Sequence, residues 1–223
     1  MGSNLARKFE RPDTVKLRVG ALPLYPRNML KYNLTWSTDG LINEYCNLCE
    51  AIVDGERCEV APLEGLEEFS LDGTVYEAFN TSGGPGTLCE TLAGKVQNLT
   101  YKAVRCSGHN AQIRLLASDL GPCRHHDLFK QLLELAVLVT VQDVVVVFAT
   151  AAGDRGGRFT QETFAKRIYG RNIAWSAIQL TTAAALCTMV DLHREGKLPP
   201  RSFVRPEDVS FPISSPTGLV RYT

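Results

Sequence analysis

An α+β fold, built on a mixed but largely antiparallel β-sheet with helices packed mainly on one face, follows from three features of the chain. Two Asp-Gly pairs, Asp54-Gly55 and Asp72-Gly73, sit between strand-like runs and read as tight hairpins. Three extended stretches each end in a corner of small polar residues and continue at helical spacing. Late in the chain a continuous apolar run, Val144 to Phe148, has the character of a strand covered on both faces, and Gly153 to Gly157 turn it back into Arg158 to Tyr169.

The chain of 223 residues can bury an ample core. Lys plus Arg and Asp plus Glu each number 24, so there is no global field to gather nucleic acid or an anionic membrane. Seven cysteines, an odd number, and an N-terminus without an apolar signal core point to a reducing cytoplasm. Cys46-x-x-Cys49 with Cys58 nearby lacks a fourth zinc ligand, so these read as ordinary thiols and no metal site is expected.

Residues 1–12 read as the remnant of a preceding helix or linker, 13–202 as one α/β domain, and 203–223 as a proline-bearing strap. Val15, Leu17 and Val19 alternate with Lys16, Arg18 and Gly20 as a half-buried strand that Pro23 and Pro26 end. Extended residues 32–36 lead to Ser37-Thr38-Asp39-Gly40, which has N-cap chemistry for a short helix over Leu41 to Cys46. The second hairpin runs into Thr81-Ser82-Gly83-Gly84-Pro85-Gly86-Thr87 and a helical stretch, Leu88 to Leu92. This glycine-rich corner is no phosphate loop, because the Gly-Lys-Ser/Thr ending is missing, and the chain holds no G-x-G-x-x-G.

The third corner is the centre of the pattern. Leu99, Tyr101 and Ala103 alternate as a strand, Ser107-Gly108-His109 turn, and Ile113, Leu116 and Leu120 recur as a helix. With Arg105 beside it, such a corner suits a carboxylate or phosphate, since a helix start offers free N–H groups and partial positive charge. Beyond Gly121-Pro122 the spacing predicts an amphipathic helix over 127–138, with Leu128, Leu132, Leu135 and Phe129, Leu133, Ala136 on one side. Adjacent His125-His126 have no third ligand. The last helix runs from about Trp175 to Glu195 and carries no charge between Ile173 and Val190; dispersed Ser, Gln and Thr residues favour burial between two layers over a membrane span.

Five ordered motifs resemble the C-terminal domain of the saccharopine dehydrogenase family: Lys31-Tyr32-Asn33-Leu34-Thr35-Trp36-Ser37, Thr81 to Leu88, Arg105-Cys106-Ser107-Gly108-His109, Trp175-Ser176-Ala177-Ile178-Gln179, and Phe203 to Asp208. The match runs from about Asp13 to the end. The resemblance implies the substrate-binding and dimerisation domain of a NAD(P)-dependent oxidoreductase acting on a secondary amine or imine of an amino-acid skeleton. Within the same class, lysine dehydrogenase or a carboxyspermidine-forming reductase are close alternatives, and a non-catalytic binding or assembly module is the alternative from another class. It implies substrate contacts at Tyr32, Trp36, Ser37, Asp39, Gly83, Gly84, Thr87, Arg105, Gly108 and His109, with Arg105 pairing a carboxylate, Asp39 meeting an ammonium, and His109 orienting substrate or shuttling a proton. Ser176 and Gln179 are implied near the cofactor, NAD or NADP. The nucleotide-binding half is expected outside these 223 residues, so the fragment alone should be inactive; the partners implied are a carboxylate-bearing substrate and a second copy, not nucleic acid or membrane. Cys106-Ser107 depart from the family's Tyr-Pro.

Overall fold

The computed structural model describes residues 1–171, 175–199 and 203–209. After a short helix, α1 (Gly2–Ala6), come β1 (Arg11–Pro23), α2 (Thr38–Cys46), the hairpin β2 (Cys49–Val53) and β3 (Glu56–Val60), and the hairpin β4 (Glu67–Leu71) and β5 (Thr74–Asn80). Then follow α3 (Leu88–Leu92), β6 (Asn98–Cys106), α4 (His109–Arg114), α5 (His126–Ala136), the long hairpin β7 (Asp143–Arg155) and β8 (Arg158–Tyr169), and α6 (Ala177–Arg194). All eight strands join one open sheet in the order β3-β2-β6-β1-β7-β8. β5, which carries β4, takes the half of the β6 edge that β2 leaves, so β2 meets β6 at Leu99 and β5 meets it from Lys102 to Cys106. Among the described residues the β1–β6 strand pairing is parallel and the other strand pairings are antiparallel, with an isolated parallel bridge between Leu34 and Val139.

Both Asp-Gly turns form as expected, with Asp54, Gly55, Asp72 and Gly73 all at positive φ, the backbone a twisted two-residue hairpin needs. Alternation along β1 sorts the layers. Val15 packs with α1 and α3 through Leu5, Leu88 and Leu92, while Ala21 packs with Val145, Val147 and Ala177 of α6. The opposite face is covered in part by the β4–β5 hairpin, where Phe69 stacks on Phe148 at 5.0 Å between centroids and the Arg18 guanidinium lies 5.9 Å from the Phe69 ring centre and 5.0 Å from that of Phe148. Helices therefore lie mainly on one face. A separate core beyond the end of the sheet joins α2, α4 and α5 through Tyr45, Phe79, Ile113, Phe129 and Leu133.

Four local expectations change. Cys46 is not a thiol: it forms a disulfide with Cys123, joining the end of α2 to the turn before α5. The helix after His109 gives way at Leu115 to a π turn ending at Asp119; the wider turn rotates the face, so Ala117 is buried beside Ile113 while Leu120 faces solvent. On α5 the inward side chains are Phe129 and Leu133, and Leu128, Leu132 and Leu135 point outward. α6 is not sandwiched between layers, because only Ala177 and Ala184 are buried and Leu186 and Val190 are exposed. No helix among the described residues is long and apolar enough to cross a membrane.

The first residues form the short helix α1 and enter β1, with Leu5, Ala6 and Phe9 in the core. In the strap, Glu207 receives the Arg7 guanidinium on its carbonyl at 2.7 Å and the Thr87 hydroxyl on its carboxylate. The remainder of that strap, 210–223, lies outside the described residues.

Candidate functional site

The α2 helix brings two of the three corners together. Its own start is capped by Ser37, whose hydroxyl accepts the Gly40 N–H at 3.2 Å. One side of its last turn faces the β6–α4 corner through Glu44 and Tyr45, and the backbone carbonyls of Asn43 and Glu44 accept the hydroxyl and N–H of Ser82 in the glycine-rich turn.

The β6–α4 corner is a closed chain of hydrogen bonds. Arg105, 2% exposed, donates from Nε to Tyr45 Oη at 2.9 Å, from Nη1 to the Val104 carbonyl at 2.9 Å, and from Nη2 to Glu44 Oε2 at 3.0 Å. Its guanidinium also lies 5.2 Å from the Tyr32 ring centre. Behind it, His109 Nδ1 is 2.6 Å from the Leu30 carbonyl and Nε2 is 3.0 Å from Tyr45 Oη. A carbonyl can only accept, so Nδ1 carries the proton and Nε2 accepts the Tyr45 hydroxyl. Burial, with the Arg105 charge adding to it, pushes the imidazole pKa down to about 3 and keeps it neutral.

The start of α4 does hold a carboxylate, and it is the protein's own. Glu77 of β5 accepts the Gly108 N–H at 2.7 Å and the Asn110 N–H, inside a site where Glu77 is 3% exposed. Gly108 reaches this geometry with φ 93°, a backbone that glycine adopts without strain. The same substitution of internal for external partners recurs. Arg105 has Glu44; Asp39 meets an ammonium, that of Lys130 at 2.7 Å; and Thr87 donates to Glu207. Lys130 and the exposed His126 at 3.7 Å hold the Asp39 carboxyl below the usual carboxylate range, the Lys130 hydrogen bond being the larger cause.

The open space lies on the other side of α2. Trp36, Gly40, Asn43 and Glu44 face Ser82, Gly83 and Gly84 across a cleft of about 300 Å³. Gly84 closes on the ring of Tyr101, where a Cβ would overlap the aromatic atoms, so glycine is required for the turn to lie against β6. Gly83 and Gly84 also border a groove of about 680 Å³ over Leu17, Val19, Tyr101, Val145 and Val147, between α1 and α6. Glu44 is the polar side chain shared by the cleft and the closed corner, with 20% of its side chain exposed. Burial raises its pKa, and the adjoining Arg105 opposes that rise.

Of the residues singled out in the sequence, Tyr32, Arg105 and His109 are thus gathered in the closed corner with Gly108 at its edge. Trp36, Gly83 and Gly84 line the cleft, and Ser37 is taken up in capping α2. Ser176 and Gln179 sit two strands away, and each caps the other: Ser176 Oγ accepts the Gln179 N–H, and Gln179 Oε1 accepts the Ser176 N–H. Asp143 accepts the next two N–H groups of α6. Sequence reasoning missed Glu44, Tyr45 and Glu77. Glu44 and Tyr45 carried a signal, since they fall about two turns beyond the Ser37 cap; Glu77 carried none beyond its place in a strand-like run. No group of three metal-ligating side chains occurs among the described residues.

No protein-family model matches the chain. Among solved structures, its fold is similar to apo saccharopine dehydrogenase (L-Glu forming) from Saccharomyces cerevisiae, with a TM-score of 0.64 and 13% identity over 84% of this chain. The chain covers 60% of that protein's chain, less than two thirds of its length. What is shared at that identity is the fold: the mixed sheet with its helical face is similar to that of a saccharopine dehydrogenase.

Proposed function

We propose that these residues form the substrate-binding and subunit-pairing domain of a NAD(P)-dependent oxidoreductase similar to saccharopine dehydrogenase, one that works on the secondary amine or imine of an amino-acid skeleton. Fold likeness supports the class. The observation that carries the substrate reading is Glu44, a carboxylate with one side on buried Arg105 and the other on the cleft beside Trp36 and Gly83-Gly84. An amine entering that cleft meets the Glu44 carboxylate from the side that Arg105 does not occupy, and a substrate carboxylate that displaces Glu44 inherits the Nη2 donor of Arg105. His109 then acts from behind, holding Tyr45 and through it the Arg105 Nε, since both of its own ring nitrogens are engaged.

Hydride transfer needs a nicotinamide, which supplies the electrons, and the chain's own contribution in this reading is to bind and orient the amine. Saccharopine titrated into the protein should quench or shift Trp36 fluorescence, and Glu44→Gln should weaken that binding at least tenfold, roughly the 1.5–3 kcal/mol of a hydrogen bond to a charged group. An unchanged affinity in Glu44→Gln would remove Glu44 from the site. NADPH-dependent turnover by the 223 residues alone would overturn the division of labour.

A further inference from the structure

On the side of the sheet away from its helices, β1, β7 and β8 enclose a pocket of about 360 Å³ that neither the closed corner nor the cleft uses. Strand register explains the hollow. Lys16 lies opposite Thr150, and Thr14 opposite Ala152, which faces Gln161 in turn. Thr150 and Ala152 keep the floor low, while Phe148 and the 65% exposed Phe159 wall its two ends. The Phe148 end has more positive charge than its acids neutralise. Arg18, 8% exposed, is held there over the Phe148 ring, and its Nε and Nη2 donate to the two oxygens of Glu67. Its Nη1 reaches Thr150 Oγ1 at 3.5 Å, too long for a good hydrogen bond. Lys102, opposite Arg18 in the β1–β6 register, turns to the same Glu67 carboxylate at 3.4 Å. Lys16 is exposed and has no ion pair among the described residues. Burial, opposed by Glu67 and reinforced by the Arg18 and Lys16 charges, holds the Lys102 ammonium below its ordinary range, so the three cations sense one another. At the other end Thr14 gives its hydroxyl to Asp13 at 2.7 Å, which leaves the available donors gathered towards Phe148.

We propose that this pocket binds a small organic phosphate monoester, with the phosphate between Lys16 and the Arg18 Nη1 and a flat apolar group along Phe159. The site is separate from the amine cleft and does not rest on that reading. Charge selects the class. Lys16, Arg18 and Lys102 against Glu67 leave two positive charges over, about what a phosphate monoester brings at neutral pH. Donor placement agrees with it. Lys16 and Arg18 come from β1, Thr150 from β7 and Gln161 from β8, so donors approach from three strands; the three oxygens of a phosphate can meet them, whereas the two of a carboxylate lie in one plane. The guanidinium is already fixed by Glu67 and Phe148, so little of its freedom is left to lose when an anion reaches Nη1. Size sets the rest of the ligand: the pocket is at the small end of the roughly 300–1,000 Å³ that ligand sites occupy, which suits one ring bearing one phosphate.

Isothermal titration calorimetry with phenyl phosphate on the 223-residue protein tests this. At low salt the wild type should give a saturable heat, and benzoate and inorganic phosphate should each bind at least tenfold more weakly. Lys16→Ala should weaken phenyl phosphate at least tenfold, and Phe159→Ala should bring it down to the level of inorganic phosphate. Both side chains are exposed, so the thermal unfolding midpoint of either variant should stay that of the wild type. Absence of binding by the wild type, or an unchanged affinity in Lys16→Ala, would overturn the proposal. Benzoate binding as tightly as phenyl phosphate would overturn the phosphate assignment, and inorganic phosphate doing so would overturn the role of Phe159. The Trp36 response to saccharopine should be the same in Lys16→Ala as in the wild type, so failure of this pocket and failure of the amine reading are separately visible.

Discussion

The two corners that meet on α2 are built from the same parts and end in opposite states. Each joins a strand to a helix through small residues and carries side chains able to hold an anion or an amine. At β6–α4 every such group is consumed internally: Glu77 caps the helix, Glu44 takes Arg105, and Tyr45 links Arg105 to His109. Across α2, the Ser82–Gly84 turn spends its hydroxyl and N–H on α2 carbonyls and leaves the space above Gly83 and Gly84 free. The difference teaches that a rigid, self-satisfied corner can serve as the wall of a site whose opening lies beside it, with Glu44 the one side chain that belongs to both.

The largest expected effect tests the closed side. Arg105→Ala removes the charge that compensates Glu44 and the donor that positions Tyr45, and loss of one partner from a buried ion pair costs about 3–5 kcal/mol. Urea unfolding should show most of that loss, and a cost below about 1 kcal/mol would mean that the corner is wet rather than sealed. On the open side, Gly84→Ala drives a methyl into Tyr101 and should cost about 1–3 kcal/mol, as overpacking does. Gly83→Ala meets no atom within 4 Å and bears only the strain of φ 80°, so it should cost about 1 kcal/mol or less. Reversal of that order in thermal melts would place the turn elsewhere than against β6.

The most gradual effect is the pH dependence of the closed corner. Above about pH 6.5 the imidazole is neutral whether the chain is folded or not. Below it the unfolded chain takes up a proton that folded His109 refuses until about pH 3, so stability falls with acid by up to about 1.4 kcal/mol per pH unit in that window. Urea midpoints at descending pH would follow this slope, and the His109 imidazole carbon shifts should stay those of the neutral ring well below pH 6. A ring that titrates near its ordinary value would show that water reaches it.

Local chemistry made much of the architecture legible. Asp54-Gly55 and Asp72-Gly73 specify their turns with two residues each, and Ser37 and Gly121 mark a helix start and a break without reference to anything distant. What escaped was set by partners far along the chain. The physics of the His109 corner asked for an anion, yet nothing local could say that Glu77 would fill it, because that pairing comes from the β5–β6 register. Cys46 and Cys123 lie 77 residues apart and offer no spacing signal. On α5, Leu128-Leu132-Leu135 and Phe129-Leu133 are both apolar rows, and the periodicity of a helix with two such rows cannot choose which turns inward.

The parallel pairing of β1 with β6 has a consequence for how the molecule is made. β1 is the middle of the sheet, with Val15 opposite both Leu99 and Ala151. Synthesised before both of its sheet neighbours, it waits through the synthesis of both Asp-Gly hairpins before β6 can dock on one edge, and longer still before β7 covers the other. Contacts of such long sequence separation are slow to form. Throughout that interval Val15, Leu17 and Val19 lie along a strand with two open edges, so the stretch that finally sits between two neighbours in the sheet is, in the growing chain, in need of a chaperone.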